Sequence, residues 1–354
     1  MNKLLLALLL FLLSFSWIKV TASDSCPESF PWKAQWINTE RCQSATNTWL
    51  IYRKSFAVTD VPNQLIARIA ADSKYWLWIN DQLVIFEGGL KRGPSPSGTY
   101  YDPVDIAPYL TKGSNTIAIL LWHFGKDGFS HINSGKAALL FEAIAPGLEI
   151  VSDASWQCAL YEAYQNTEAP FPNYRMPESN IRFDARQAIT NWNRTSFEGS
   201  LPGAVCVGKA GKAPFGDLVE RPIPQWKNSG LLSYVSVRES LRGDTLFCRL
   251  PYNAQITPYL KVEAEAGKTI HIRMDNYEGG SERNVRAEYI TREGEQEYES
   301  YGWMNGHEVY YIIPEGVKVL DVKYRETGYN TDLAGSFHCD DPFYDELWQR
   351  SART

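Results

Sequence analysis

The sequence is poor in the features that announce a chemistry. It has six cysteines in 354 residues, and no two of them make a Cys-x-x-Cys pair. A structural zinc site of the usual cysteine spacing is therefore excluded. Six is also too few for a disulfide scaffold. The five histidines, His123, His131, His271, His307 and His338, form no His-Glu-x-x-His pair. There is no Gly-x-Ser-x-Gly elbow, no phosphate-binding Walker loop and no dinucleotide fingerprint. Positive charge is also in deficit. The formal net charge of −6 argues against a nucleic-acid partner, because phosphate binding needs a basic surface. After residue 18 no apolar run is long enough to span a membrane, and no internal repeat or low-complexity tract occurs.

Aromatic residues, by contrast, are plentiful, with 12 Trp, 20 Tyr and 15 Phe, and this excludes a disordered chain. The first 22 residues read as a secretory signal peptide. Lys3 supplies the positive start, Leu4 to Ile18 the apolar stretch, and Val20-Thr21-Ala22 the small residues before cleavage. This predicts an exported protein, periplasmic or extracellular, with no membrane span after cleavage. An even number of cysteines then permits disulfides. Cys26 and Cys42, and Cys158 and Cys206, are neighbours in sequence, but spacing does not fix the pairing. Cys248 lies in the apolar stretch Leu246–Leu250 and reads as a buried small residue.

The remainder reads as strands. Tyr75–Asn80, the turn Asn80-Asp81 and Leu83–Phe86 predict a hairpin. Thr116–Trp122 follows the turn signal Lys112–Asn115. Leu260–Ala264 with Thr269–Met274, and Val309–Ile313 with Val317–Tyr324, each predict a further hairpin. Short strands broken by Gly, Pro and Asn indicate an all-β protein of two β-sandwich or jelly-roll modules. Val207–Gly230, rich in Gly, Pro and Lys, reads as a linker or long surface connection between them. Ala163–Asp184 reads as a long loop inside the first module. At the end, Asp340-Asp341-Pro342 starts a helix that carries Phe343, Leu347 and Ser351 on one face, extended by Tyr344 and Trp348. The predicted bounds are a signal peptide over 1–22, a jelly roll over 23–222, a second sandwich over 223–338, and the start of a helical domain over 339–354.

Two groups of residues are candidates for binding. Glu293, Glu295, Glu297 and Glu299 alternate, which predicts one strand face carrying four carboxylates. A solvated face accounts for them, and calcium is the cation such a cluster would attract. No cofactor is otherwise indicated and no metal ligands are assigned. Trp76 and Trp78 share a strand face, Trp122 ends another strand, and Trp303 sits between Gly302 and Gly306. Indole rings serve either as core or as platforms for the apolar face of a sugar ring. These four are the candidate sugar contacts. No carboxylate pair stands out for glycoside hydrolysis, and no catalytic residue is assigned.

Three stretches together bear a family resemblance: Glu299–His307, Val319–Tyr329 and Gly335–Asp341. They look like the central β-domain of bacterial α-L-rhamnosidases, the family-78 glycoside hydrolases. Upstream, Ala70–Asn80, Asp153–Trp156 and Phe183–Arg186 are similar to the N-terminal jelly roll of that family. The resemblance implies a galactose-binding-like module followed by a concanavalin-like sandwich, in an exported enzyme that removes terminal α-L-rhamnose from glycans. In that family an (α/α)6 barrel follows the β-modules. Its carboxylic acid protonates the leaving oxygen and a second carboxylate activates water, with inversion. Nothing in this chain matches those acidic motifs, and Asp340 and Asp341 match only the entry to the barrel's first helix. The expectation is the non-catalytic N-terminal portion of such an enzyme, inactive alone, whose partners are a rhamnose-containing glycan and a missing or separate barrel. A stand-alone carbohydrate-binding module and a pure scaffold are the alternatives. The scaffold reading predicts Phe343, Leu347 and Trp348 exposed.

Overall fold

The computed structural model describes residues 31–42, 44–89, 98–128, 131–168, 180–275 and 286–353. Its 21 described strands, numbered in chain order, form three sheets. The first sheet runs β13 (Val205–Lys209), β1 (Gln35–Asn38), β8 (Ala138–Ala145), β3 (Ile66–Asp72), β6 (Thr99–Asp105), β14 (Leu218–Glu220), with β9 (Leu148–Val151) beside β8. The second runs β10 (Gln157–Leu160), β2 (Thr48–Val58), β7 (Gly113–His123), β4 (Lys74–Ile79), β5 (Gln82–Gly89). These two sheets face each other across a core of alternate residues, among them Ile69, Tyr75, Leu77, Ile119, Leu121 and Phe141.

The third sheet holds the remaining strands. Its order is β11 (Tyr164–Asn166), β12 (Ile181–Asp184), β18 (Arg286–Ile290), β17 (Thr269–Met274), β20 (Met304–Ile312), β16 (Thr245–Ala264), β15 (Ser236–Glu239), with β19 (Gly294–Glu299) and β21 (Val317–Glu326) also on β16. The long β16 belongs to two layers. Its first half pairs with β15 and β20, and its second half with β19 and β21. The change falls where the register to β20 shifts between Arg249 and Ala254. Cys248, Leu250, Ile256, Leu260 and Val262 face inward along its whole length, so one strand feeds one core from both layers.

The Asn80-Asp81 hairpin forms as expected. Both residues are left-handed, with φ of 46° and 71°, as a two-residue hairpin turn requires. The other two predicted hairpins do not form. The β16–β17 and β20–β21 strands exist, but β17 pairs with β18 and β20, and β21 pairs with β16. Their Gly-containing turns connect opposite layers. At the first of them, Thr291 closes the turn by accepting from Lys268 N–H through Oγ1 (3.0 Å) and from Gly267 N–H through its carbonyl (2.7 Å).

Ala163–Asp184 is not simply a loop. It contributes β11 and β12 to the third sheet, where β12 runs parallel to β18 and Arg182 Nε donates to the buried Glu288 (2.8 Å). Nor is Val207–Gly230 wholly a free connection. It returns β14 to the first sheet and buries Phe215 against Trp36, with ring centroids 4.0 Å apart. The final helix, α1 (Pro342–Arg353), starts as predicted, with the Asp341 carboxylate accepting from Phe343 N–H at 3.0 Å. No described helix is long and apolar enough to cross a membrane.

Candidate functional site

The outer face of the second sheet is as apolar as its inner face. On β2, β4 and β7 the outward residues are Trp49, Ile51, Trp76, Trp78, Ala118, Leu120 and Trp122. They are covered by Tyr161, Tyr164, Ile181 and Trp192, and by Tyr301 beside β20. The result is an aromatic layer between the two modules. Trp49 lies between Tyr164 (3.9 Å) and Trp122 (4.5 Å), nearly parallel to both, and Tyr301 rests on Trp76 at 4.7 Å.

One side chain holds this stack in register. Asn47 Oδ1 accepts from Trp122 Nε1 (2.7 Å) and from Trp49 Nε1 (3.0 Å), while its Nδ2 donates to Asn166 Oδ1 (2.7 Å). Replacing Asn47 by alanine leaves two indole N–H groups without acceptors. The expected loss is about 2–4 kcal/mol, measured by chemical denaturation followed through tryptophan fluorescence.

Three of the four candidate sugar contacts therefore lie inside the protein. Trp76, Trp78 and Trp122 are 0%, 8% and 2% exposed. Their faces or edges are taken up by Tyr301, Trp192 and Trp49. Alternation along a strand could not reveal this, because both faces of the sheet are buried. Trp303 differs. It is half-buried, and its ring lies 5.9 Å from the Lys74 ammonium. Lys74 is itself buried, 2.6 Å from the buried Glu87 carboxylate and 5.7 Å from the Phe124 ring.

The four carboxylates also have partners. Glu295, Glu297 and Glu299 share one face of β19, whereas Glu293 lies in the turn before it. Glu299 receives Arg325 through two bonds (2.8 and 3.0 Å) and Thr257 Oγ1 (2.8 Å). Glu297 accepts from Tyr259 OH (2.8 Å), Glu295 pairs with Lys261 (2.6 Å), and Glu293 accepts from Ala266 N–H (3.2 Å). Among the described residues no group of three or more His, Cys, Asp or Glu is placed to hold a metal ion. Arg325 also lies 4.8 Å over the Phe86 ring, which ties the second module to β5 of the first.

A polar cluster that sequence reading did not find lies at the start of β4. Asp72 Oδ1 is bonded to His123 Nδ1 (3.0 Å) and Ser73 Oγ (3.0 Å), and lies 3.5 Å from His131 Nε2. Asp72 Oδ2 accepts from Ser134 N–H (2.8 Å). His131 Nε2 is also 3.1 Å from Ser73 Oγ. Burial alone would raise the Asp72 carboxyl, but the bonds from His123 and His131 outweigh it and hold the group well below the usual carboxylate range. These are the residue types of a nucleophilic triad, but all four side chains are sealed from solvent. Ser73 has no open side from which to attack a substrate, so the cluster serves the core. Its members come from three distant segments, which left no local signal.

The cysteines Cys42, Cys158, Cys206, Cys248 and Cys339 are unpaired, and Cys26 lies outside the described residues. Burial pushes the Cys248 thiol up to about 12, in keeping with a small apolar role. On α1, Phe343 (62% exposed) and Leu347 (47%) face solvent together with Tyr344 and Trp348. His338 and Asp345 (2.6 Å) bind the start of this helix to the segment before it.

No protein-family model and no curated protein sequence matches the chain. Solved structures do. A GH78 family rhamnosidase of Bacillus sp. GL1 superposes with a TM-score of 0.77 at 17% identity, over 90% of this chain and 57% of that one. The α-L-rhamnosidase from Dictyoglumus thermophilum gives 0.65 at 20% identity, over 90% and 38%. That from Aspergillus terreus gives 0.66 at 19%, over 89% and 38%. The class is thus an all-β protein of packed sandwiches. More particularly, the chain shares its fold with a part of these rhamnosidases, and it spans little more than half of the first and well under half of the other two.

Proposed function

We propose that this chain is the non-catalytic β-portion of an exported α-L-rhamnosidase-like glycoside hydrolase, and that it carries no turnover by itself. The observation that supports this most strongly is the superposition of nine-tenths of the chain on a GH78 rhamnosidase. Within the described residues, the two polar groupings that resemble catalytic sets are engaged elsewhere. Glu295, Glu297 and Glu299 are paired, and the Asp72–His123–His131–Ser73 cluster is closed to solvent. On this reading α1 presents Phe343, Leu347 and Trp348 to a helical catalytic module, which buries them. The free chain should bind an apolar dye such as ANS at that face. Leu347→Gln together with Trp348→Gln should remove most of the dye fluorescence while leaving the melting transition in place. Unchanged dye binding would refute the docking role. Export predicts a mature chain beginning at Ser23, read by N-terminal sequencing.

A second reading, a carbohydrate-binding module, is favoured by one observation. Trp303 is only half-buried, beside a buried Lys74–Glu87 pair. Calorimetry with rhamnose-containing oligosaccharides should then show binding that Trp303→Ala weakens by about tenfold or more. Absence of heat across a broad glycan panel would remove this reading.

A further inference from the structure

The outer face of the third sheet carries a row of arginines and rings. Cys248, Val309, Ile272 and Ala287 point into the core of the second module, so their neighbours on the same strands point out. Strand register then sets Arg238, Phe247, Tyr310 and Arg273 side by side on β15, β16, β20 and β17. Both guanidiniums lie over rings. Arg238 is 5.3 Å from the Phe247 centroid and Arg273 is 5.8 Å from that of Tyr310, and the two rings meet edge to face at 5.2 Å. A guanidinium already resting on a ring loses less freedom when it binds an anion. Arg249, two residues along β16 from Phe247, is exposed and makes no side-chain bond among the described residues. The carboxylates of this face lie deeper and are engaged. Glu308 accepts from Arg238 Nη2 at 3.1 Å, and Asp275 accepts from the backbone N–H of His307 (2.8 Å) and of Glu308 (3.1 Å). Arg238 is 63% exposed, against 24% for Glu308 and 27% for Asp275, so the outermost charge is positive. This is notable in a chain whose net charge is −6.

We propose that this face binds an anionic glycan, a chain of uronate sugars whose carboxylates are taken by Arg238, Arg249 and Arg273. A guanidinium offers a carboxylate two parallel N–H bonds, which a lysine in its place does not. Arg238 and Arg273 stand three strand spacings apart, about 14 Å. A single small anion meets one of them, whereas an extended polymer meets both and Arg249 as well. Between them Phe247 and Tyr310 are half-buried, and their remaining surface suits the apolar C–H face of a sugar ring. The need for an anion rests on the arginines alone. The choice of a glycan among polyanions rests on the glycoside-hydrolase reading above. This face shares no residue with the Trp303 site or with α1.

Affinity electrophoresis of the purified chain in gels containing polygalacturonate tests this. The expected result is retardation by polygalacturonate, none by its fully methyl-esterified form, and release as salt is raised. Arg238→Gln together with Arg249→Gln, both at exposed positions, should weaken binding by about tenfold or more while leaving the melting transition in place. Trp303→Ala should leave binding intact. No retardation overturns the proposal, and so does equal retardation by the esterified polymer or binding indifferent to the double arginine variant. Loss of binding in Trp303→Ala overturns it as well, and assigns the glycan to that ring. Stronger retention by single-stranded DNA than by polygalacturonate overturns the glycan and assigns the face to nucleic acid. Activity toward an aryl α-L-rhamnoside is read separately. Turnover there overturns the reading of a non-catalytic chain without touching this face, and a failure to bind polygalacturonate leaves that reading standing.

Discussion

Replacing Glu299 by alanine is expected to cost about 3–5 kcal/mol, the usual loss when one member of a buried ion pair is removed. The carboxylate accepts both arms of the Arg325 guanidinium and the Thr257 hydroxyl. Arg325 is largely buried, so without Glu299 its charge stays inside the protein with Asn228 Oδ1 (2.6 Å) as its remaining described acceptor. The same guanidinium covers Phe86, so the loss reaches across the junction between the modules. Chemical denaturation should show a lower midpoint for Glu299→Ala, with a smaller loss for Glu299→Gln, which keeps an acceptor oxygen. The neighbouring Glu295→Ala is the control. Its pair with Lys261 is exposed, and such pairs contribute about 0–1 kcal/mol. Equal losses for the two variants would contradict the account of the junction.

The second large effect lies at Asp72. Removing this carboxylate leaves His123, His131, Ser73 Oγ and Ser134 N–H facing an empty acceptor position in a buried site. Asp72→Ala should cost about 3–5 kcal/mol. The pH dependence has a definite sign. The folded-state carboxyl is held below its unfolded value near 3.9, so its contribution is present above that pH and disappears as pH falls toward the folded value. The gap in stability between wild type and Asp72→Asn should be widest near neutrality and should narrow below about pH 4. A gap that keeps the same size down to low pH would show that the carboxylate charge plays no part.

What the sequence revealed and what it concealed follow from the range over which each feature is encoded. The β4–β5 hairpin was legible because Asn80 and Asp81 hold its turn within two residues. The start of α1 was legible for the same reason, since Asp341 and Pro342 mark it locally. The shared face of Glu295, Glu297 and Glu299 followed from strand period alone. The false hairpins at 264–269 and 313–317 show the limit. Two strands joined by a Gly turn read alike whether they pair or cross between layers, and here the partner was β16, whose two halves serve different layers. The burial of Trp76, Trp78 and Trp122 was hidden because their cover comes from Tyr301, Trp192 and Trp49, each far from its partner along the chain. The cluster around Asp72 was hidden for the same reason, since His123 and His131 reach it from 51 and 59 residues away.

The account stands most directly on one assay, incubation of the purified chain with an aryl α-L-rhamnoside. The predicted result is release of the aryl group no faster than in buffer, unaffected by substitution of Glu295, Glu297, Glu299 or Asp72. Steady turnover that disappears on replacing a single carboxylate of this chain would contradict it, because the active site would then lie within these β-modules.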